Sequence, residues 1–277
     1  MTTLGILHPG SMGAALAANA VAGGHTVLWA SQGRSAATAR RAAAAGAQDV
    51  GSLAALCERS DVVLSICPPA FAEEVAAQVA ATGFDRCFAD ANAISPARIQ
   101  AVADTLSGVG ATVVDGAVIG GPPRKPGTTR LYLSGAAAGQ VAVLFAAGPV
   151  EEVVLERPVG TASALKMAYA ASTKGAVALT SLCLALADQH GVPQELAAEW
   201  DRHNPEATSS ARRRIAAGVP RAWRWVGEMH EIADTAAASG LPEGFHRAAA
   251  AVFERWERHR DATAVDVDAV IAELPSR

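Results

Sequence analysis

The stretch Leu4–Gly13, LGILHPGSMG, decides the fold of this 277-residue chain. An apolar run leads into a glycine-containing segment and then into an alanine-rich stretch, a pattern typical of a strand, a tight turn and a helix. N–H groups at such a helix start face the pyrophosphate of a dinucleotide; Gly10 lets it approach closely and Gly13 allows tight helix packing. His8 replaces the usual first glycine, and the alternative interpretation is a tight βα turn without a ligand. We predict cofactor contacts from the whole turn, that is from His8, Pro9, Gly10, Ser11, Met12 and Gly13.

The end of the second predicted strand bears on the choice of cofactor. Residues 28–35, LWASQGRS, contain no acidic residue, whereas an NAD-binding domain normally places one here for the ribose hydroxyls. Ser31, Arg34 and Ser35 offer hydroxyls and a planar guanidinium that suit a 2′-phosphate, and two further arginines follow along the helix. The sequence therefore predicts NADP(H) binding; the alternative is an ordinary solvated, basic helix start.

Short apolar runs alternate with alanine-rich stretches from residue 4 to about 155, which is typical of right-handed βαβ units in a parallel sheet. The predicted strands are Leu4–Leu7, Thr26–Trp29, Val62–Ile66, Cys87–Asp90, Thr112–Asp115 and Arg130–Ser134, with a further candidate at Glu152–Leu155. The predicted helices are Gly13–Ala22, Ser35–Ala45, Ser52–Arg59, Ala72–Ala81, Pro96–Leu106 and Ala136–Ala146. We therefore expect an α/β, doubly wound parallel sheet of the Rossmann type over residues 1–157.

The remaining residues, 158–277, show helical periodicity only. A long apolar stretch covers Thr161–His190, and proline- or glycine-containing breaks near residues 192, 205, 219 and 241 divide the rest. The sequence predicts an all-α second domain of four or five helices.

Composition excludes several classes of protein. Hydrophobic residues make up 51% of the chain, the formal net charge is −4, and basic residues are dispersed, so we expect small-molecule partners and no nucleic acid. Four cysteines without a C-x-x-C pair favour reduced thiols in the cytoplasm over disulfides or a metal site. No signal peptide is recognisable, and Pro9, Asn19, His25 and several glycines interrupt the uncharged stretch at residues 4–33, so no membrane span is expected.

Four motifs occur in a fixed order along the chain. They are Gly10-x-Met12-Gly13, DANAISP at residues 90–96, DGAVIGG at 115–121 and GTASALK at 160–166. Together they resemble the β-hydroxyacid dehydrogenases, relatives of 6-phosphogluconate dehydrogenase and of the imine reductases. The resemblance covers roughly residues 4–190, and it implies a cofactor-binding Rossmann domain followed by a helical domain.

The resemblance also implies roles for individual residues. The segment matching Gly120-Gly121 binds the carboxylate of the substrate through backbone groups, and the lysine matching Lys166 exchanges the proton at the reacting oxygen. An ammonium suits this role because hydride delivery to a carbonyl leaves a developing alkoxide, which the ammonium can stabilise and protonate. The segment matching Cys67-Pro68 runs beside the nicotinamide ribose, and Asn92 lies at the next strand end. We expect Cys67 to pack or to contact the cofactor through its backbone, not to act as a nucleophile.

Several positions depart from the family pattern. Tyr169 and Ala170 stand where asparagines are usual, and Ile119 stands where many members have a substrate-binding serine. Helical spacing puts these first two residues, together with Thr173, on the face of Lys166. We predict a pocket that is less polar than the family norm. The predicted substrate contacts are Ile119, Gly120, Gly121, Tyr169, Ala170 and Thr173.

The expected activity is NADP(H)-dependent hydride transfer between the nicotinamide and a carbonyl or β-hydroxy compound with an anionic group. Lys166 would be the general acid and base. Imine reductases typically replace this lysine, so its presence favours carbonyl or alcohol chemistry. Two alternatives remain open. Reduction of an imine would make Tyr169 the residue to test as proton donor, and loss of catalysis would leave a cofactor-binding sensor.

The uncharged run Gly175–Ala187 bears on assembly. A monomer of this size could bury such a run only in part, and relatives bury the matching helix in a dimer. We therefore predict a homodimer.

Overall fold

The computed structural model describes residues 1–275, which divide into two compact units. The first unit is Met1–Lys166, and the second begins at Met167. The division falls inside a long helix, whereas the sequence placed the domain boundary at residue 158, where strands give way to helices.

Eight strands form a single sheet in the first unit. They are β1 (Thr3–Ile6), β2 (Thr26–Trp29), β3 (Gln48–Asp49), β4 (Val62–Ser65), β5 (Cys87–Asp90), β6 (Thr112–Gly120), β7 (Thr129–Ser134) and β8 (Glu151–Val154). Their order across the sheet is β3-β2-β1-β4-β5-β6-β7-β8, and only the β6/β7 pair is antiparallel. The chain therefore crosses from one half of the sheet to the other after β3, and a doubly wound sheet binds its ligand at this type of crossing.

Six helices connect the strands. They are α1 (Ser11–Ala22), α2 (Ala36–Ala44), α3 (Leu53–Arg59), α4 (Ala72–Ala80), α5 (Pro96–Ser107) and α6 (Ala138–Ala142). Their starts carry local signals: the hydroxyls of Ser35 and Ser52 cap α2 and α3, and a proline occupies the first turn of α5.

Both faces of the sheet are covered by apolar side chains. On β4, Val62 and Leu64 lie in one cluster with residues of α1 and α6, while Val63 lies in a second cluster with residues of α4 and α5. Adjacent strand residues point to opposite faces, so such a strand has to be apolar throughout. The structure thus confirms the predicted α/β fold with a helical C-terminal region.

The antiparallel pairing of β6 with β7 is a local departure from the predicted parallel sheet. Only the segment 121–128 joins the two strands, which is too short for the crossover that parallel strands require. β6 also extends to Gly120, five residues past the predicted end, because its second half pairs with β7. Strand β3 was not predicted, since two residues give no periodic pattern.

All the regular secondary structure in the described part of the second unit is helical. Its helices are α7 (Thr161–Gln189, which begins in the first unit), α8 (Pro193–His203), α9 (Ala207–Gly218), α10 (Ala222–Ala238), α11 (Gly244–Glu254) and α12 (Val267–Ile271). These are six α-helices in the described residues, whereas the sequence predicted four or five; the last has only five residues and therefore gives no clear helical periodicity. Phe253 and Trp256 are fully buried, and the indole N–H of Trp256 donates to Val270 O at 3.0 Å.

Helix α7 is long and apolar enough to cross a membrane by length and composition alone. In its most apolar window, 44% of the residues are buried within the protein. The core helix of a soluble protein has the same character.

Candidate active site

The glycine-rich turn places the start of α1 at the carboxyl edge of the sheet. Gly10 is the N-cap of α1 and has extended backbone angles, and no side chain of the described residues caps the helix. The N–H groups of the first helical turn have no intrahelical acceptor, so they remain available to an anion.

The two glycines of this turn differ in what they accommodate. A Cβ at Gly13 would lie 2.4 Å from His8 O and 2.9 Å from Ile66 Cγ2, so packing of the helix onto the turn requires glycine. A Cβ at Gly10 would meet no protein atom within 4 Å. The protein itself therefore does not demand glycine at residue 10, as expected where the open side receives a ligand.

The β2–α2 connection presents Arg34 from a tight turn. Arg34 N donates to Ser31 O at 2.9 Å, and Gly33, with φ of 73°, supplies the left-handed residue of the turn. The guanidinium of Arg34 is exposed and forms no ion pair with the part of the chain that the structure describes. Ser35, predicted to contact a phosphate, instead accepts from Thr38 N at 3.2 Å as the cap of α2.

Asp49 on β3 shapes this turn and was missed at the sequence level. One carboxylate oxygen accepts from Ser31 N at 3.2 Å and from Gly51 N at 2.8 Å. These bonds, that of Gly51 first, lower the pKa of Asp49. Because its carboxylate binds backbone N–H groups, Asp49 holds the turn in place. Only the pairing of β3 with β2 brings it there, and nothing in the local sequence signals that.

A second arginine ties α2 to the glycine-rich turn. Arg41 donates from Nε to Pro9 O at 3.2 Å and from one terminal nitrogen to Thr38 Oγ1 at 3.0 Å. Its guanidinium therefore lies beside the turn whose N–H groups are available to an anion, and it adds positive charge there.

The ends of β4 and β5 are joined by the side-chain amide of Asn92. Its Nδ2 donates to Asp90 Oδ2 at 2.7 Å and to Ser65 Oγ at 3.1 Å, while its Oδ1 accepts from Cys67 N at 2.5 Å. Both amide protons are thus used within the protein. Asn92 positions the Cys67-Pro68 segment through its amide oxygen. Because both of its amide protons are already used, the predicted role of Asn92 in cofactor binding becomes an indirect one. Burial raises the pKa of the Cys67 thiol to about 11, which agrees with a packing residue.

Two polar residues of the β6/β7 hairpin hold the start of α7. Asp115 accepts from Gly160 N at 2.9 Å and from Ser163 N at 3.0 Å, and Ser134 Oγ accepts from Ala162 N at 3.1 Å. These bonds satisfy the N–H groups that a helix start leaves unpaired. The first turns of α7 are thereby fixed on the hairpin.

Lys166 lies on this anchored part of α7. Its half-buried ammonium donates to Val118 O at 2.6 Å, which places it next to the predicted substrate segment Ile119–Gly121. Gly120 has φ of 124°, and a Cβ there would lie 2.3 Å from Thr128 O, so only glycine fits. A Cβ on Gly121 would meet nothing within 4 Å, so this residue is open to a ligand.

The three predicted substrate contacts further along α7 differ in exposure. Tyr169 is 47% exposed, and Thr173 is exposed with its hydroxyl donating to Tyr169 O at 2.9 Å. Ala170 is only 2% exposed. Its side chain offers no accessible surface, so the structure does not support Ala170 as a substrate contact.

Taken together, the first unit fits a nicotinamide dinucleotide. An uncapped helix start suits the pyrophosphate, and Arg34 suits a phosphate at the end of β2. The imidazole Nδ1 of His8 is buried in the same region without a hydrogen-bond partner among the described residues, as expected for a group that a ligand completes.

Comparison with protein families gives two matches. The NAD binding domain of 6-phosphogluconate dehydrogenase matches residues 3–150, more than half of the chain. A domain of unknown function, DUF1932, matches residues 187–256 in the helical region. Comparison with curated proteins gives no significant match.

Solved structures share the fold over the whole chain. The 3-hydroxyisobutyrate dehydrogenase of Mycobacterium tuberculosis with L-serine is 23% identical, with a TM-score of 0.75 and full coverage of both chains. A reductive aminase from Aspergillus terreus in complex with NADPH and ethyl levulinate is 19% identical, with a TM-score of 0.59, and 98% of each chain is covered. The imine reductase of Streptomyces aurantiacus is 21% identical, with a TM-score of 0.58, and the match covers 99% of this chain and all of that one.

The match over residues 3–150 agrees with the predicted resemblance and with the geometry of the glycine-rich turn. The TM-scores of the solved structures establish a common fold, and with identities below 25% they establish the fold alone. The chain belongs to the family of the NAD binding domain of 6-phosphogluconate dehydrogenase.

Proposed function

We propose that this protein is an NADP(H)-dependent oxidoreductase that acts on a carbonyl or β-hydroxy compound with an anionic group. The observation that carries the proposal is the position of Lys166, whose ammonium lies 2.6 Å from Val118 O beside the Gly120-Gly121 segment. One group that can exchange a proton and one segment that can bind an anion thus lie side by side.

The residues would divide the reaction as follows. When bound, NADPH would supply the hydride that reduces the carbonyl carbon. The open backbone at Gly121 holds the anionic group of the substrate, and the ammonium of Lys166 stabilises the developing alkoxide and donates its proton to that oxygen. In the oxidative direction the neutral amine of Lys166 takes the proton from the hydroxyl. Buried Asp115 and Ser134 keep the lysine in register through the start of α7.

The proposed preference for NADP(H), which carries a 2′-phosphate, over NAD(H) rests on the β2–α2 turn. Arg34 is exposed there and free of ion pairs within the described residues, while the nearby carboxylate of Asp49 binds backbone N–H groups. One oxygen of the Asp49 carboxylate is thus used to hold the turn, and a planar guanidinium suits a phosphate, which supports the preference for NADP(H).

The role of Lys166 is tested by substitution. We expect Lys166→Met to lower kcat with small carbonyl or β-hydroxy acid substrates by 10²-fold to 10⁴-fold, the range of general acid–base catalysis, with the Kd for NADPH unchanged. Lys125→Met, which removes an exposed lysine of the β6–β7 loop, is the matched control and should keep full activity. Full activity of Lys166→Met would contradict the proposal.

Imine reduction is the second candidate, and exposed Tyr169 one turn after Lys166 favours it as an alternative donor. It predicts that Lys166→Met keeps turnover of cyclic imines with NADPH whereas Tyr169→Phe loses it. Loss of activity in Lys166→Met, with activity retained in Tyr169→Phe, supports carbonyl chemistry. Tight NADPH binding without turnover of either substrate class would instead indicate a protein that binds the cofactor and has lost catalysis.

We also propose that the protein forms a homodimer through α7. Leu179, Leu182 and Leu186 follow one stripe of this helix and are 50%, 43% and 63% exposed. A run of exposed leucines is typical of an interaction surface, and a second copy of the same helix is the occupant that would bury it.

A further inference from the structure

His8 occupies an unusual position in the cofactor site. It stands where the first glycine of the motif is expected, so a side chain is present where the motif normally has none. That side chain lines a cavity of about 140 Å³, together with Ala30, Gln32 and Arg34 from the end of β2 and Gln78 from α4.

The place of this cavity in the fold indicates which part of a cofactor meets it. The start of α1 suits the pyrophosphate, and the end of β2 is where a Rossmann domain contacts the ribose next to the adenine. Leu7 and His8, which follow β1, and Gln32 and Arg34, which follow β2, all line the cavity, so it lies where the adenosine half is expected.

The imidazole of His8 can form a hydrogen bond for which the described residues provide no partner. Its Nδ1 is buried without a partner, whereas native proteins pair nearly all buried polar atoms. Burial, with a smaller contribution from the Arg34 guanidinium, lowers the pKa of His8 to about 4. The ring is therefore neutral at physiological pH, with one donor and one acceptor nitrogen.

We propose that the side chain of His8 binds the adenosine half of the cofactor, by a hydrogen bond to a ribose hydroxyl or to the adenine edge. This inference rests on the proposed binding of a nicotinamide dinucleotide. A neutral ring adds no charge for the 2′-phosphate, so His8 contributes equally to NADPH and NADH, whereas Arg34 distinguishes them.

Calorimetric titration tests the assignment with three ligands: NADPH, NADH and adenosine 2′,5′-bisphosphate, which lacks the nicotinamide half. His8→Phe keeps the bulk of the ring and removes both nitrogens, and we expect it to weaken all three ligands by the same factor, about threefold to tenfold. His8→Asn keeps a polar group near the position of Nδ1 and should bind within about twofold of wild type. If His8→Phe does not fold, His8→Ala gives the same comparison. His190→Phe, at an exposed histidine of the second unit, is the matched control and should bind as wild type does.

Two results would overturn the inference. Wild-type affinity of the His8→Phe protein for all three ligands would show that the ring only fills space. A loss confined to NADPH and adenosine 2′,5′-bisphosphate, the two ligands with a 2′-phosphate, would assign His8 to that phosphate. Failure of the proposed function is distinct from both, because the wild-type protein would then bind neither NADPH nor NADH.

Discussion

At the scale of single residues, Asp90 at the carboxyl edge of the sheet makes the stability of the protein depend on pH. It is fully buried at the end of β5, and burial raises its pKa from 3.8 to about 7 even though Asn92 donates two hydrogen bonds to it. The folded state thus binds this proton more tightly than the unfolded state, so the stabilisation is present below pH 4 and is lost as the pH rises through 7.

We therefore expect the free energy of unfolding of wild type, relative to Asp90→Asn, to fall by roughly 4 kcal/mol between pH 4 and pH 8. Urea titrations of both proteins at four pH values measure the difference directly. Parallel pH profiles for the two proteins would show that Asp90 does not titrate in this range.

Residue roles that depend on local sequence were predictable, and those that depend on distant pairing were not. The glycine at residue 13 and the cap at Ser52 follow from spacing and residue type. Asp49 and Asn92 act through partners 18 and 25 residues away, which only the sheet brings together. Helical spacing put Ala170 on the face of Lys166 but could not show that the residue is buried, because spacing defines a face without showing what packs on it.

At the scale of elements, the start of α7 depends on Asp115. Its buried carboxylate accepts from two backbone N–H groups of the helix start and from the hydroxyl of Ser163. Removing this buried acceptor leaves these donors unpaired. We expect Asp115→Ala to lower the free energy of unfolding by about 3 kcal/mol and to reduce kcat as well, since Lys166 lies in the next turn.

Denaturant unfolding of Asp115→Ala is compared with that of Asp266→Ala, which removes the exposed cap of α12. The control should lose about 1 kcal/mol or less and keep its activity. Equal, small losses in both variants would mean that the hairpin does not anchor α7.

Elements with strong periodicity were predicted well, and their pairing was predicted less well. The strands from β1 to β5 other than β3 match the expected positions within one residue, because each is a short apolar run between helical stretches. The antiparallel pairing of β6 with β7 was not predicted, since the proline- and glycine-containing loop 121–128 was not recognised as a short hairpin connection.

At the scale of the whole molecule, assembly follows from the exposed face of α7. We expect a solution mass of twice 28.2 kDa at micromolar concentration. Leu182→Glu, which puts a charge on the leucine stripe, should shift the protein to the monomer by disrupting the apolar contact. Light scattering after size exclusion measures both, with Val143→Glu, at an exposed valine of the first unit, as control. A wild-type monomer would contradict the dimer.

The most direct test of the proposed function is a fluorescence titration of the purified protein with NADPH and NADH, beside the variant Arg34→Ala. We expect wild type to bind NADPH more tightly than NADH, and the variant to lose about 2 kcal/mol of NADPH binding, roughly thirtyfold in Kd, because a charge-assisted contact to the 2′-phosphate is removed. NADH binding should not change. Equal affinity of wild type for both cofactors, or no binding of either, would contradict an NADP(H)-dependent enzyme.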